Sequence, residues 1–210
     1  MLEIKTYVLG PVQTNSYLVA DVNSGSAVVI DPAWDGHTFI EAARENSWTI
    51  DQIWLTHAHF GHMAGAGAIV TGVSPRPGLA LHPGDLPLYK IQGGAPFFGM
   101  SIDPGPEPDM LLSHGQELKI GESRFIVRYT PGHTPGHVIF QNAEEKLVFS
   151  GDLIFLGSVG RTDLPGGSHA TLISSIREHI LHLPDDTRLL SGHGPETTVG
   201  QEKQWNPFLV

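Results

Sequence analysis

The stretch Ile53-Trp54-Leu55-Thr56-His57-Ala58-His59-Phe60-Gly61-His62 decides how this chain is read, with the small-residue segment Met63-Ala64-Gly65-Ala66-Gly67-Ala68 behind it. Three of the twelve histidines fall within six positions just past a short β-like apolar run. Imidazoles gathered at a strand end are the usual nitrogen ligands of zinc and its neighbours. In an extended segment His57 and His59 point to the same side and can share one ion, while His62 lies a turn further on, where a helix is expected over residues 62–70. A pair of ions is therefore within reach of this stretch. The blander alternative is a loop that happens to be rich in histidine.

Composition narrows what such a site could do. The chain has 210 residues, 40% of them apolar, enough for one globular domain over 1–210 with a buried core. No apolar run approaches the ~20 residues needed to span a bilayer, so no membrane partner is expected. Met1-Leu2-Glu3-Ile4-Lys5 lacks a basic region followed by an apolar block, which gives a soluble, cytoplasmic, unsecreted protein as the expectation. The absence of cysteine excludes disulfides, thiolate ligands and a cysteine nucleophile, so any metal must be held by nitrogen and oxygen. A formal charge of −10 with only twelve Lys and Arg argues against nucleic acid, whose binding draws on phosphate neutralisation.

Working outward, Ile4–Val8, Ser16–Ala20 and Ala27–Ile30 read as strands of a β-meander ending at Asp31-Pro32. Phe39–Glu45 reads as a helix, and Gln52–Leu55 as the strand feeding the histidines. Residues 73–115 are rich in Pro and Gly, so regular structure there should be limited to a strand at Leu79–Leu81 and a helical turn after Pro83. This segment reads as a connection plus lid, with Ala95-Pro96-Phe97-Phe98-Gly99-Met100 as aromatic pocket rim or as an ordinary packed loop. Beyond it, Phe125–Tyr129, His137–Phe140, Leu147–Phe149 and Arg188–Leu190 read as strands. Leu172, Ile173, Ile176, Ile180 and Leu183 mark one helical face. Two successive β-rich halves, about 1–110 and 111–210, suggest an α/β fold: a four-layer αββα sandwich, two sheets packed together with helices outside and the site where the halves meet.

Candidate ligands recur where these strands end. His133 follows Tyr129 in Thr130-Pro131-Gly132-His133-Thr134-Pro135-Gly136-His137, Asp152 follows Phe149 in Ser150-Gly151-Asp152, and His193 follows Leu190 in Ser191-Gly192-His193-Gly194-Pro195. Strand-end loops are where α/β folds build sites.

Taken in order, T-H-x-H-x-x-H, T-P-G-H-T-P-G-H, S-G-D and G-H-G-P resemble the metallo-β-lactamase fold superfamily, and within it the short glyoxalase II-like hydrolases of the hydroxyacylglutathione hydrolase type. The resemblance runs from Asp31 to Asn206-Pro207-Phe208-Leu209. It implies that His57, His59 and His133 hold a first metal, that Asp152 bridges, and that His62 and His193 hold a second. Zinc is the ion expected, one or two per chain, with Fe2+ or Mn2+ as alternatives. Gly61 stands where that family has an aspartate, which removes an anionic ligand and a proton acceptor together and should weaken the second site.

The other histidines have quieter readings. His137 is expected to support the loop presenting His133. His37, His82, His114, His169, His179 and His182 read as surface or cap residues, and Asp31 as a loop-tying carboxylate. Arg161, in Gly160-Arg161-Thr162-Asp163, either offers a guanidinium to a substrate carboxylate or ties its loop through Asp163. The function the resemblance implies is metal-dependent hydrolysis of a small-molecule thioester, a 2-hydroxyacyl-glutathione such as S-lactoylglutathione, by metal-activated water at a rate reduced by Gly61. A mononuclear-iron persulfide dioxygenase using His57, His133 and Asp152 is the alternative; Gly194-Pro195 and residues 206–209 match the hydrolases better. An inactive metal- or ligand-binding protein is the third reading.

Overall fold

The structure, a computed structural model, describes residues 1–209. Two six-stranded sheets face each other. The first runs β1 (Leu2–Leu9), β2 (Thr14–Asp21), β3 (Ser26–Ile30), β4 (Thr49–Trp54), β5 (Gly78–Leu81), β6 (Met110–Leu111) in spatial as in chain order. β1 to β3 pair antiparallel as a meander, and β3 to β6 pair parallel. The second is built from β7 (Glu117–Ile120), β8 (Ser123–Tyr129), β9 (Val138–Asn142), β10 (Leu147–Gly151), β13 (Arg188–Ser191) and β14 (Thr197–Thr198), ordered β14-β13-β10-β9-β8-β7. A small hairpin, β11 (Ile154–Phe155) and β12 (Ser158–Val159), lies between β10 and β13 in sequence.

Side-chain alternation along these strands creates three cores and hence four layers. In β2 and β3, Leu18, Ala20, Ala27 and Val29 face outward, where α1 (His37–Glu45), α2 (Phe60–Met63) and α3 (Ala66–Gly72) cover them with Phe39, Met63 and Ile69. Tyr17, Val19, Val28 and Ile30 face the other way and meet Phe125, Val127, Phe140 and Phe149 of the second sheet. That sheet's far face, Ile139, Val148 and Leu189, is covered by Leu172 and Ile176 of α5 (His169–His179) and by Val199 of α6 (Val199–Trp205). The α/β four-layer αββα sandwich expected from the sequence is the fold observed.

Three expectations need correcting in detail. The helix read over 62–70 is two helices, α2 and α3. Gly65 presses against the backbone of Pro32 and Trp34, where a Cβ would come within 2.9 Å of the Trp34 carbonyl, and its N–H donates to the Pro32 carbonyl instead of continuing the turn. The helical face ending at Leu183 stops earlier: α5 closes at His179, and Ile180 and Leu183 are buried beyond its end. The Pro/Gly-rich segment holds more structure than expected, with a 3-10 turn at Pro83–Asp85, α4 (Leu86–Lys90), a kinked 3-10 stretch at Gln92–Phe98, and β6.

Candidate metal centre

β4 delivers the chain into Thr56–His59, which is extended up to His59, the residue that caps α2. His57 therefore lies on the floor of the centre, His59 at its edge, and His62 on the first turn of α2, all three brought to one end of the first sheet. From the second sheet come His133 after β8, Asp152 after β10 and His193 after β13. The six converge. Atoms of His57, His59 and His133 that could hold a metal lie within 4.8 Å of one another, and so do those of His62, Asp152 and His193. Asp152 stands between the two groups: Oδ1 is 3.4 Å from His62 Nε2, while Oδ2 is 3.4 Å from His133 Nε2 and 3.5 Å from His193 Nε2.

Hydrogen bonds behind the rings assign their tautomers. The Thr56 hydroxyl donates to Asp31 Oδ2 at 2.6 Å, so His57 Nδ1 is the donor toward Thr56 Oγ1 at 3.0 Å, which leaves Nε2 as a bare acceptor. His62 Nδ1 donates to Asp31 Oδ2 at 2.9 Å, His133 Nδ1 to the Arg161 carbonyl at 2.7 Å, and His193 Nδ1 to the Gln13 carbonyl at 3.2 Å. Each turns Nε2 inward. His59 differs, facing His133 Nε2 with its Nδ1 at 2.9 Å. Asp31 also accepts from the Thr56 N–H at 2.7 Å, and its oxygens are thereby committed to holding the loop and ring of others. His137 accepts the Asp152 N–H on Nε2 at 3.1 Å and bonds Thr130 Oγ1 through Nδ1 at 2.9 Å, tying the Asp152 and His133 loops together.

Electrostatics show what the cluster lacks. Burial pushes His57 well below the usual imidazole range and His59 down to about 3, with the neighbouring imidazoles adding to the effect, so both are neutral acceptors at ordinary pH. Burial acts on His62 in the same sense, but Asp152 and Asp31 outweigh it and hold the ring up at about 10. Asp152 is buried too, yet His62, His193 and His133 keep its carboxyl well below the usual carboxylate range. Five buried side-chain polar atoms among the described residues have no hydrogen-bond partner, and His57 Nε2, His62 Nε2 and Asp152 Oδ1 are three of them. Buried polar atoms without partners are costly, and imidazole nitrogens gathered around a buried carboxylate fit a cation, which would take the place of the proton that Asp152 and Asp31 hold on His62. These His and Asp groups fit a metal cofactor of borderline or hard character.

Several residues that build the centre escaped the sequence reading. Asn15, in β2, donates through Nδ2 to the carbonyls of Ser191 at 2.9 Å and Gly194 at 2.8 Å, and the Tyr17 hydroxyl donates to the Ser191 carbonyl at 2.6 Å. Both clamp the His193 loop to the first sheet; the signal was a fully buried strand that carries an Asn. Asp85 accepts from Ala58 N–H at 2.9 Å, Thr134 Oγ1 at 2.8 Å and Gly136 N–H at 2.6 Å, linking the His57–His59 loop to the His133 loop. Gly192 lies where a Cβ would fall 2.2 Å from Asp152 Oδ1 and 2.7 Å from the His62 ring, so only glycine lets this backbone through.

The remaining candidates lie at the margins. Gly61 is buried in α2 and borders the cavity between His59 and His62. Arg161 lines the same cavity with its guanidinium bound by Nε and Nη2 to the two oxygens of Asp163, each at 2.8 Å. His82 caps the 3-10 turn at Pro83, His114 accepts from the Tyr129 N–H, His37 and His169 open α1 and α5, and His179 closes α5; His182 follows it. The cavity, about 410 Å3, has His59, His62, His133, Asp152 and His193 at its base, and Phe97, Phe98 and Met100 of the expected aromatic rim do line it. No helix among the described residues is long and apolar enough to cross a membrane.

Known proteins share this fold. Residues 9–193 match the family model described as the metallo-beta-lactamase superfamily. Hydroxyacylglutathione hydrolase GloC of Haemophilus influenzae is 36% identical over 94% of this chain and 93% of its own. The crystal structure of TTHA1623 in a di-iron-bound form superimposes with a TM-score of 0.88 at 41% identity, over 98% of this chain and 100% of that one. BLEG-1 B3 metallo-beta-lactamase does so with a TM-score of 0.90 at 38% identity, over 99% and 100%. With its fold, its strand-end ligand loops and this match in agreement, the chain belongs to the metallo-β-lactamase superfamily.

Proposed function

We propose that the protein is a metal-dependent thioester hydrolase, in which His57, His59 and His133 hold one divalent ion and His62, Asp152 and His193 a second. The observation that carries this reading is the position of Asp152, a single carboxylate within 3.5 Å of rings from both groups at the base of an open cavity. An ion bound there supplies Lewis acidity toward a carbonyl oxygen and brings the pKa of a coordinated water toward about 7. The chain's own part is preorganisation: Asp31 fixes His62, Thr56 fixes His57, and His137 holds the Asp152 backbone, so the acceptors need not rearrange when an ion arrives.

A 2-hydroxyacyl-glutathione such as S-lactoylglutathione is the narrower candidate substrate, supported by the name of the Haemophilus influenzae relative. Zinc, iron and manganese all suit the donor set, and the di-iron form of TTHA1623 makes two ions a reasonable count. Gly61 takes the place of an aspartate in the resembled motif, which leaves the second group with two imidazoles and the shared carboxylate; a weaker second ion and slower turnover follow. The test is thiol release from S-lactoylglutathione by protein loaded with zinc, iron or manganese, against chelated protein. Hydrolysis that depends on the metal is expected. Thioester hydrolysis absent under every loading would sink the proposal.

A second reading draws on His133 and Asp152, whose facing atoms are 3.4 Å apart with His57 beside them, a two-histidine, one-carboxylate set of the kind that holds a single iron in oxygen-using enzymes. Oxygen uptake by iron-loaded protein with glutathione persulfide would favour it over hydrolysis. Failure to bind any metal stoichiometrically would favour the inactive reading.

A further inference from the structure

The walls of the cavity carry almost no polarity of their own. Among the described residues that line it, Arg161 is the one polar side chain outside the ligand cluster. The rest of the wall is apolar, and much of it is bared to water: Phe97 is 80% exposed, Phe98 56% and Ile91 47%. Phe98 continues inward to Phe60, ring centroids 5.5 Å apart, so the apolar surface runs unbroken from the mouth to the helix that carries His62. Large apolar side chains left exposed around a concave site mark where an apolar ligand group is covered. The one cation at the rim is already matched, because Asp163 takes both prongs of the Arg161 fork. Glutathione, with two carboxylates, finds no free cationic side chain there.

We infer that the cavity recognises an uncharged aliphatic arm of its substrate, so that the preferred thioester carries a chain of several carbons, on either the acyl or the thiol side, and no carboxylate at the rim. The inference rests on the thioester-hydrolase reading and narrows its substrate. The apolar rim supplies affinity in proportion to the chain length it covers, and the ligand cluster meets the reacting carbonyl at the base. Glutathione thioesters are then accepted with their carboxylates left in solvent, at a cost in KM.

Two substrate series separate the possibilities. S-acyl-N-acetylcysteamines from acetyl to octanoyl vary the acyl arm, and S-acetyl alkanethiols vary the thiol arm. In one series kcat/KM should rise about two- to fourfold per methylene, the factor that corresponds to covering one CH2, until the cavity is filled. The Phe97→Ala, Phe98→Ala double variant, altered at exposed positions, should flatten that rise, whereas Asp163→Asn should lower KM for S-lactoylglutathione by releasing Arg161 and leave the chain-length slope as it was. Calorimetry with the non-hydrolysable S-hexyl and S-methyl ethers of N-acetylcysteamine reads the same preference without turnover, with tighter binding and a more negative heat-capacity change for hexyl. Flat series in both arms with equal binding of the two ethers would overturn the inference, as would self-association through the rim that the double variant abolishes without any chain-length dependence. If no thioester is turned over but the hexyl ether still binds more tightly, the hydrolase reading fails and the apolar-arm inference stands.

Discussion

Gly61 concentrates the question at the scale of single residues. A Cβ built there meets Val12 Cγ2 at 2.7 Å and Thr14 Oγ1 at 3.3 Å. Val12 is 43% exposed on the turn between β1 and β2, so its methyl has solvent to move into. Thr14 is fully buried, and its hydroxyl is another of the buried polar atoms without a partner. An aspartate at 61 would thus displace one flexible methyl, and its Cβ would come close to that waiting donor. Gly61→Asp is expected to raise the metal bound per chain toward two in dilute metal and to raise thioester turnover by about 10-fold or more, the scale on which groups around a metal tune affinity. Metal content measured after dialysis, alongside kcat, checks it; unchanged metal and unchanged rate would mean that Gly61 is not what limits the second site. The histidines were legible because spacing alone marks an imidazole cluster. Thr14 was not, because an unpaired hydroxyl is a property of packing and has no sequence signature.

Among the elements, the strands were the readable part: β1 alternates between more and less buried positions, while β2 and β9, buried along all or nearly all of their length, carry short apolar runs. The pieces that escaped are those whose formation depends on distant partners. β6 and β14 are two residues each and exist through their pairing with β5 and β13. α6 is polar over most of its length and starts where Thr198 caps it by accepting from the Gln201 N–H. The split between α2 and α3 depends on Pro32, more than thirty residues upstream. Asp85 belongs to this class. Placed at the junction of a 3-10 turn and α4, it draws together two ligand loops separated by more than seventy residues of chain, although burial itself pushes its carboxyl up. Asp85→Ala strips the acceptor from three buried donors and should destabilise the fold by roughly 3 kcal/mol or more, at about 1–3 kcal/mol for each group left unsatisfied. Denaturant unfolding would measure this, and a loss below 1 kcal/mol would show that water or a shifted backbone replaces the carboxylate. Metal affinity should fall with it, because the His57–His59 loop and the His133 loop lose their common anchor.

Over the whole molecule, the centre is also a joint. His57, His59 and His62 belong to the first sheet and its helix, His133, Asp152 and His193 to the second, and the layer between is an apolar interface joined at the site end by Asn15 and Tyr17. An ion held by His57, His59 and His133 therefore crosses from one half to the other, and the unfolded chain has no preformed site to compete for it. Binding to the folded state alone adds about 2.7 kcal/mol when free metal is 100 times its dissociation constant. For a chain of 210 residues that corresponds to roughly 5–11 °C in Tm, at about 2–4 °C per kcal/mol. Chelation should lower Tm by this amount, and readdition of zinc, iron or manganese should restore it, with a rise that grows as the logarithm of free metal. The His133→Ala variant, which removes the second sheet's contribution to the first group, should lose most of the metal-dependent part while keeping the Tm of the chelated protein within a few degrees, since the interface between the sheets is untouched. A melting temperature indifferent to chelation would mean that the two halves are held by their apolar interface alone and that the ligand cluster, however well assembled, binds its ion too weakly to act as a joint.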